Sequence, residues 1–331
     1  MKVWIFFDDR QGSCPAEAAA AQSIATECRK FGHEAEVLNP NKFELIVSAE
    51  KKWQALYEGK IMPTPDIIVP RTGSETSYQA HVVMHFFETR GIPFLNCPAT
   101  VQIVGDKLKS QQVLAAGGIP VPKTMLGTFP ANVDLVEKEL GFPVVVKTLS
   151  GTRGGGVFLC ETRDKFKDLT DLIAEANPNA PFIFQEYIGT SHGRDIRVFV
   201  VNGKVHGCME RRSVDGSFKS NVSRGGQGSA FKMTQELERL ALRTANLLNM
   251  EVAGIDFLFC DKNGYKVCEA NSAPGFAIEH VCMQKNPPGR LLAEAAIRKA
   301  IQYNDPSRKI IRFVRESFRP KLVTPKGKIA V

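Results

Sequence analysis

The sequence predicts a mixed α/β (α+β) protein of more than one packed unit, on three observations. The chain has 331 residues, more than a single small domain requires. Residues 1–98 alternate short apolar strands with helices, the mark of a small parallel sheet. From residue 99 the alternation gives way to hairpin-like strand pairs interleaved with helices.

Each element follows from its local pattern. VWIFF (3–7) is a continuous apolar run, as a strand covered on both faces must be. Residues 16–31 form an alanine-rich helix, EAEVL (34–38) a second strand and DIIVP (66–70) a third. The loop RTGSET then leads into a helix through VVMHFFETR, and GIPFLN is expected to close this unit as a fourth strand. DKLKSQQVLAAGG is a helix stopped by Gly117 and Gly118. PKTMLG, a helix near 132–140, the pair PVVVK/VFLCE, a helix near 164–176 and the strand FIFQEYI follow. A last section reads as strands DIRVFVV and KVHGCMERR, the helix QELERLALRTANLLN, the strands AGIDFLFC and YKVCEAN, and the helix LLAEAAIRKAIQY.

Composition excludes several classes. Hydrophobic residues make up 43% and charged residues 24%, ordinary for a globular chain. No apolar run approaches the roughly 20 residues that span a bilayer, and MKVWIFFDDR turns acidic too soon for a signal peptide. Eight cysteines lie scattered without a CxxC pair, which suits a reducing cytoplasm and no cysteine metal site. The net charge is +8, but residues 307–331 hold eight Lys or Arg against the single acid Glu316. The basic excess is therefore a tail and not a nucleic-acid-binding face, so neither a nucleic acid nor a membrane is the expected partner. Ile310, Ile311, Phe313, Val314 and Phe318 fall on one side of a helix, which reads as a docked helix followed by a solvated end. An anionic partner for the tail, an acidic peptide or RNA, is the alternative.

The stretch KTLSGTRGGGVFLC puts four glycines between Gly151 and Gly156. It is not a P-loop, because Lys147 precedes the glycines and a strand follows them. The G-x-G-x-x-G fingerprint fails as well. What remains is a hairpin with a glycine-rich tip, able to fold over phosphates or simply to be a mobile tip.

AGIDFLFCDKNGYKVCEANSAPG carries more chemistry. Asn263-Gly264 between two apolar runs is a strong hairpin signal. A two-residue turn sets Asp256 opposite Asn271, with Glu269 on the same face; a four-residue turn sets Asp256 opposite Glu269. Only a three-residue turn breaks the arrangement. Two carboxylates and an amide oxygen on one face repel one another, and a hard divalent cation relieves that repulsion. Lys107, Lys147, Arg211 and Arg212 end or open elements, and KSNVSRGG adds Lys219, Asn221 and Arg224 beside further glycine. Cations, glycine loops and a metal site together suit a triphosphate.

At these residues the chain resembles the ATP-grasp ligases, and within them the RimK-type glutamate ligases. The resemblance runs through residues 66–280 in the motifs VPRTGSETSYQ, VGDKLKSQQVLAAGGIPVPKT, PVVVKTLSGTRGGGV, QEYI…GRDIRVFVVNGKV, ERRSVDGSFKSNVSRGG and AGIDFLF…CEANSAPGF. It implies an ATP-grasp fold: an N-terminal Rossmann-like pre-ATP-grasp domain (1–98), a central lid domain (99–188), a C-terminal domain with the Mg²⁺ site (189–306) and the basic tail (307–331). It implies that Lys107 and Lys147 hold ATP phosphates, with Gly154 and Gly155 in the loop above them. Gln185, Glu186, Tyr187 and Ile188 match the hinge strand that takes adenine, Asp195 lies near the ribose, and Lys219, Ser220 and Asn221 match an ATP-contacting segment. Asp256, Glu269 and Asn271 match the ligands of Mg²⁺ or Mn²⁺, expected as two ions. Arg211, Arg212 and Arg224 would stabilise the transferring phosphoryl group, and Arg71, Thr72, Gly73 and Ser74 look like acceptor-side contacts.

The resemblance thus implies an ATP-dependent carboxylate–amine ligase working through an acyl phosphate, adding glutamate or a similar amino acid to a carboxylate acceptor. A homo-oligomer, dimer or tetramer, is expected. A non-catalytic nucleotide-binding module is the competing reading, against which the intact set Asp256, Glu269, Asn271, Lys107 and Lys147 stands.

Overall fold

The computed structural model describes residues 1–9, 15–49, 53–149, 155–177, 179, 181–221, 225–261, 264–276 and 287–304. Among these residues the strands form four sheets.

The first unit is built on β1 (Lys2–Phe6), α1 (Pro15–Lys30), β2 (Glu34–Leu38), a small antiparallel meander of β3 (Phe43–Ile46), β4 (Gln54–Tyr57) and β5 (Lys60–Ile61), then β6 (Ile67–Pro70) and α2 (Tyr78–Thr89). β1 lies between β2 and β6, parallel to both, with Ile5 opposite Val37 and Val69. Trp4, Ile5 and Phe6 are fully buried, which is why VWIFF shows no polar alternation. The GIPFLN segment adds only the bridge Ile68–Phe94, flanked by Ile68 N–H to Pro93 carbonyl at 3.0 Å and Leu95 N–H to Ile68 carbonyl at 2.9 Å. Pro93 has no N–H to extend the ladder, and Asn96 turns the chain away at φ +66°.

Asn96 joins this unit to the rest. It is 1% exposed, and its side-chain amide donates to the Val252 and Ser272 carbonyls at 2.7 and 3.0 Å. Its Oδ1 accepts from the Glu251 and Val252 N–H groups at 2.8 and 3.0 Å.

Two helices follow, α3 (Pro98–Gly105) and α4 (Lys107–Ala116). Asp106 caps α4, taking the Leu108 and Lys109 N–H groups at 3.0 Å each. Val104, Leu114 and the following Ile119 join the core under the largest sheet, so these helices pack away from the central unit with which the sequence grouped them. The central unit keeps its own core of Val136, Val144, Val146, Phe166 and Phe184. Its elements are β7 (Thr124–Leu126), α5 (Val133–Leu140), β8 (Val144–Thr148), β9 (Val157–Cys160), α6 (Arg163–Ala176) and β10 (Phe182–Glu186), in an antiparallel sheet of order β7-β10-β8-β9.

The largest sheet has the order β13-β12-β11-β14-β15, all antiparallel. It comprises β11 (Arg194–Val201), β12 (Lys204–Arg212), β13 (Gln227–Ala230), β14 (Val252–Phe259) and β15 (Tyr265–Asn271), with α7 (Gln235–Leu247) laid against it. The last described helix, α8 (Pro288–Asn304), packs back on α1, burying Leu292, Ala293 and Ala296 in the core of the first unit. The tail 307–331 lies outside the described residues, as does Asn263 at the hairpin tip.

The β14–β15 hairpin corrects the expected turn. Cys260 N–H donates to the Gly264 carbonyl at 2.8 Å, so Gly264 belongs to the ladder and the tip has three residues. That is the turn length expected to break the acidic face. A β-bulge repairs it: Phe257 faces Val267 but Asp256 faces Glu269, leaving Cys268 as the extra residue. Before the bulge Lys266 and Cys268 point to the site face, and after it Glu269 and Asn271 do, while Tyr265, Val267 and Ala270 stay buried in the core.

Candidate active site

The ends of β8 and β10 in the central sheet and the open face of the largest sheet enclose a cleft open to solvent at its mouth. Fifteen residues singled out in the sequence line it together: Lys107, Lys147, Gly155, Gln185, Glu186, Tyr187, Ile188, Asp195, Arg211, Lys219, Ser220, Asn221, Asp256, Glu269 and Asn271. They come from chain positions more than 160 residues apart, brought together by two sheets facing each other.

One end of the cleft is a half-buried carboxylate and an apolar wall. Glu186 closes β10, accepts from the Lys123 N–H at 2.8 Å and pairs with Lys266 of β15, which ties the two sheets together. Val145, Val157, Tyr187, Ile188 and Leu258 supply the apolar surface. Tyr187 Oη bonds His192 Nδ1, and the other ring nitrogen of His192 meets the Gly216 carbonyl at 3.2 Å. Burial pushes the Tyr187 phenol upward.

The other end is a lattice of charges set by strand register. Asp195 of β11 lies opposite Arg211 of β12, and Arg211 Nε donates to Asp195 Oδ1 at 2.7 Å. One row further, Arg197, Asp256 and Glu269 lie side by side on β11, β14 and β15. Arg197 grips Asp256 with Nε and Nη2, each at 2.7 Å, and Arg211 Nη2 reaches the same carboxylate at 3.0 Å. Burial pushes the Asp256 carboxyl up, but the charges of Arg197 and Arg211 more than offset it and hold it below the usual carboxylate range. Burial also opposes the Arg211 charge, yet Asp256 and Asp195 carry that group above its ordinary value.

Lys147 sits at the end of β8, donating to Gln185 Oε1 at 2.6 Å with Cys268 Sγ 3.6 Å away. Lys107 opens α4, and the Lys219 ammonium lies 5.5 Å from the Phe218 ring. The hairpin above Lys147 is pinned by Thr148 N–H to the Gly156 carbonyl at 2.9 Å. Gly156 has φ +66°, and a Cβ there would stand 2.5 Å from Thr148 Oγ1. Gly154 and Arg224 lie outside the described residues.

One expectation is corrected. Arg212 does not share the site with Arg211: neighbouring strand residues face opposite sides, and its side chain is 57% exposed and paired with Glu210 at 2.7 Å. Arg71, Thr72, Gly73 and Ser74, expected as acceptor-side contacts, lie outside the lining of this cleft. They form a separate edge beside it, where Arg71 Nη2 donates to the Pro274 carbonyl at 2.7 Å and the Ser74 backbone packs on Gly105, two residues before Lys107. Conversely, Arg194, Arg197 and Cys268 line the cleft without having been singled out. Arg197 had a signal, since it lies two residues after Asp195 on one strand and so on the same face.

The cleft carries six cationic side chains (Lys107, Lys147, Arg194, Arg197, Arg211, Lys219) and four carboxylates among the described residues. Glu269 is half-buried and makes no hydrogen bond or ion pair among them, although Asp256 beside it is doubly paired. An excess of cations with one unpaired carboxylate at the same end fits a polyanion that brings a divalent ion.

The residue pattern of the RimK-like ATP-grasp domain matches residues 104–291, and that of the RimK PreATP-grasp domain matches residues 2–101. The chain belongs to the RimK-like ATP-grasp family. A probable alpha-L-glutamate ligase of Alkalilimnicola ehrlichii is 37% identical over 248 residues, covering 75% of this chain and 81% of its own. In fold, the chain is similar to a RimK domain protein from Sphaerobacter thermophilus, with a TM-score of 0.68 at 18% identity, covering 90% of this chain and 100% of that one. It is similar also to the ATP-grasp ligase PsnB complexed with minimal precursor, Mg and ADP, with a TM-score of 0.65 at 19% identity, covering 91% and 98%. The RimK-like protein is an ATP-dependent ligase of the C–N bond-forming class. Among its described residues, no helix is long and apolar enough to cross a membrane.

Proposed function

We propose that this RimK-like ligase joins glutamate, or a similar amino acid, to the carboxylate of an acceptor through an acyl phosphate, releasing ADP and phosphate. The observation that carries this reading is the row Arg197–Asp256–Glu269, with Asn271 on the same face and two lysines nearby. Asp256, Glu269 and Asn271 would hold the Mg²⁺ ions, two in number, whose charge neutralises the oxygens of ATP when bound.

The chain's own groups do the remaining work. Lys107 and Lys147 hold the phosphates, with Gly155 letting the hairpin backbone approach them. Gln185 to Ile188 take the adenine, Asp195 lies toward the ribose, and Lys219, Ser220 and Asn221 steady the phosphate chain. Arg211 keeps its guanidinium between Asp195 and Asp256, so it meets the transferring phosphoryl group already oriented. Arg197 shares Asp256 and would yield one carboxylate oxygen to the ion while holding the other. Little covalent chemistry falls to the protein; it orients, neutralises charge and excludes water from a hydrolysable intermediate. We place the enzyme in the cytoplasm, in keeping with its free cysteines among the described residues, and as a dimer or tetramer.

The test is ADP release with ATP, Mg²⁺ and panels of amino acids and carboxylates, followed by mass spectrometry of the product. Amine-dependent ADP and a product heavier by one amino-acid residue are expected. The reading fails if no pair gives amine-dependent ADP.

A further inference from the structure

His192 takes no part in the chemistry proposed above, yet it stands between two segments that do. Residues 187–193 join β10 to β11, and so lead from the central sheet to the largest one. The segment opens with Tyr187 and Ile188 in the cleft wall and turns through a short 3₁₀ helix, Gly189–Ser191. Its backbone is held from below. The buried Ser191 hydroxyl donates to the Arg194 carbonyl at 2.6 Å and accepts the Phe259 N–H at 3.1 Å. Thr190 Oγ1 donates to the Phe259 carbonyl at 2.6 Å. His192 therefore stands on a fixed base, although the residue itself is exposed.

The ring uses both of its nitrogens. Nε2 meets the Gly216 carbonyl at 3.2 Å, and a carbonyl only accepts, so Nε2 carries the proton and Nδ1 is left to accept from the Tyr187 hydroxyl. Gly216 belongs to the loop 213–218, which runs from the end of β12 into Lys219, Ser220 and Asn221 of the cleft. That loop is laid on residue 193 without spare room. Gly193 N–H donates to the Phe218 carbonyl at 3.3 Å, and the Gly193 carbonyl accepts the Ser213 N–H at 2.7 Å. A Cβ at Gly193 would stand 2.8 Å from the Ser217 carbonyl oxygen. Inside the loop the Asp215 carboxylate accepts from the Ser213 hydroxyl at 2.6 Å and the Ser217 N–H at 3.0 Å, and Ser217 Oγ accepts the Lys219 N–H at 3.2 Å. A run of hydrogen bonds thus leads from Tyr187 to Lys219, with the His192 ring spanning the two segments.

We propose that His192 is a positioning residue that couples the Tyr187 side of the cleft to the placement of Lys219, Ser220 and Asn221. A ligand seated against Tyr187 then meets a phosphate-contacting segment already in place. The proposal rests on the placement of ATP given above for the identity of that ligand, but not for the coupling itself. Imidazole suits the task because one rigid ring presents an acceptor and a donor at two separate points. Asparagine could keep only the bond to Tyr187, and glutamine only the bond to Gly216, so neither spans the gap.

The experiment has two arms on the full chain. In the first, hydrogen exchange by mass spectrometry without ligand compares the wild type with Tyr187→Phe, His192→Phe and the double variant. Loss of either partner should speed exchange across residues 213–221 by about threefold or more. The double variant should be no faster than His192→Phe, because both changes break one connection. In the second arm, steady-state kinetics of His192→Phe should show the KM for ATP raised about 5–10-fold with kcat held within about twofold. A residue that only maintained the fold would lower kcat through loss of active enzyme and leave KM alone. His192→Asn and His192→Gln should both behave as His192→Phe. The idea is overturned if Tyr187→Phe leaves exchange at 213–221 unchanged, if kcat falls while KM stays, or if His192→Gln keeps the wild-type KM, which would make the ring a pin for the loop alone. The exchange arm needs no nucleotide, so failure to detect ADP release sinks the ligase reading and leaves the coupling to be decided there.

Discussion

Asn96 offers a sharp test of how the units are held together. Its side chain makes four hydrogen bonds to the backbone of residues 251, 252 and 272, standing where a neighbouring strand residue would stand. Asn96→Ala would strand two N–H groups and two carbonyls. A made bond is worth about 1 kcal/mol net, and a fully buried orphan costs about 1–3 kcal/mol. Val252 and Ser272 are buried, and Val252 loses a partner for both its N–H and its carbonyl, while Glu251 is half-buried, where water can help. The expected loss is therefore about 3–5 kcal/mol. Alanine also sits badly at φ +66°, at about 1 kcal/mol, which Asn96→Gly avoids. Urea unfolding of both variants separates the terms: glycine should lose about 3–4 kcal/mol and alanine about 1 kcal/mol more. Asn96→Asp, which turns a donor into an acceptor facing two carbonyls, should be no better than glycine. A glycine variant within about 1 kcal/mol of wild type would refute the reasoning, because the four bonds would then be incidental.

Other outcomes follow from single features. Glu269→Ala should cut amine-dependent ADP release about 100-fold or more and abolish stabilisation by Mg²⁺ with ATP. It should leave the melting temperature of the free protein unchanged, because no bond among the described residues is lost; full activity would remove Glu269 from the metal site. Gly156→Ala forces a left-handed conformation costing about 1–2 kcal/mol and a contact with Thr148 Oγ1, so steady-state kinetics should show a raised KM for ATP. His206 and His81 are both lowered by burial, so the folded chain binds fewer protons there than the unfolded one. Stability from these groups is complete above the ordinary histidine pKa and is lost as pH falls through it. Melting temperature should therefore drop between pH 7.5 and pH 5.5, and His206→Gln should flatten that slope.

Much of the fold was legible because burial writes itself into sequence. VWIFF is apolar throughout since both faces of β1 are covered, and the amphipathic helices α5, α6 and α7 start at the Asn132, Thr162 and Thr234 caps that the structure contains. The meander β3–β5 went unseen, being short, twisted by turns and half exposed. GIPFLN has strand composition, but Pro93 and the left-handed Asn96 stop it after one bridge. The site was legible where residue identity alone decides, as at Asp256, Glu269 and Lys147. It was illegible where facing decides: Arg211 and Arg212 are neighbours in sequence, and only the register on β12 tells which one turns inward. The grip of Arg197 on Asp256 required knowing that β11 and β14 are partners, which no local pattern states.

The extra residue at Cys268 has a consequence for how this ligase can change over evolutionary time. A strand has only two phases, and the length of its hairpin tip normally fixes which side chains face the chemistry. Here the phase is reset between the tip and the site. Lys266, on the tip side, keeps its hold on Glu186 at one end of the cleft, while Glu269 and Asn271 obey a second phase at the other. The two ends of the cleft are thereby indexed independently along one strand. Deleting Cys268 itself would leave Phe257 opposite Val267 and Asp256 opposite Glu269 in a regular ladder, so both ends would keep their facing.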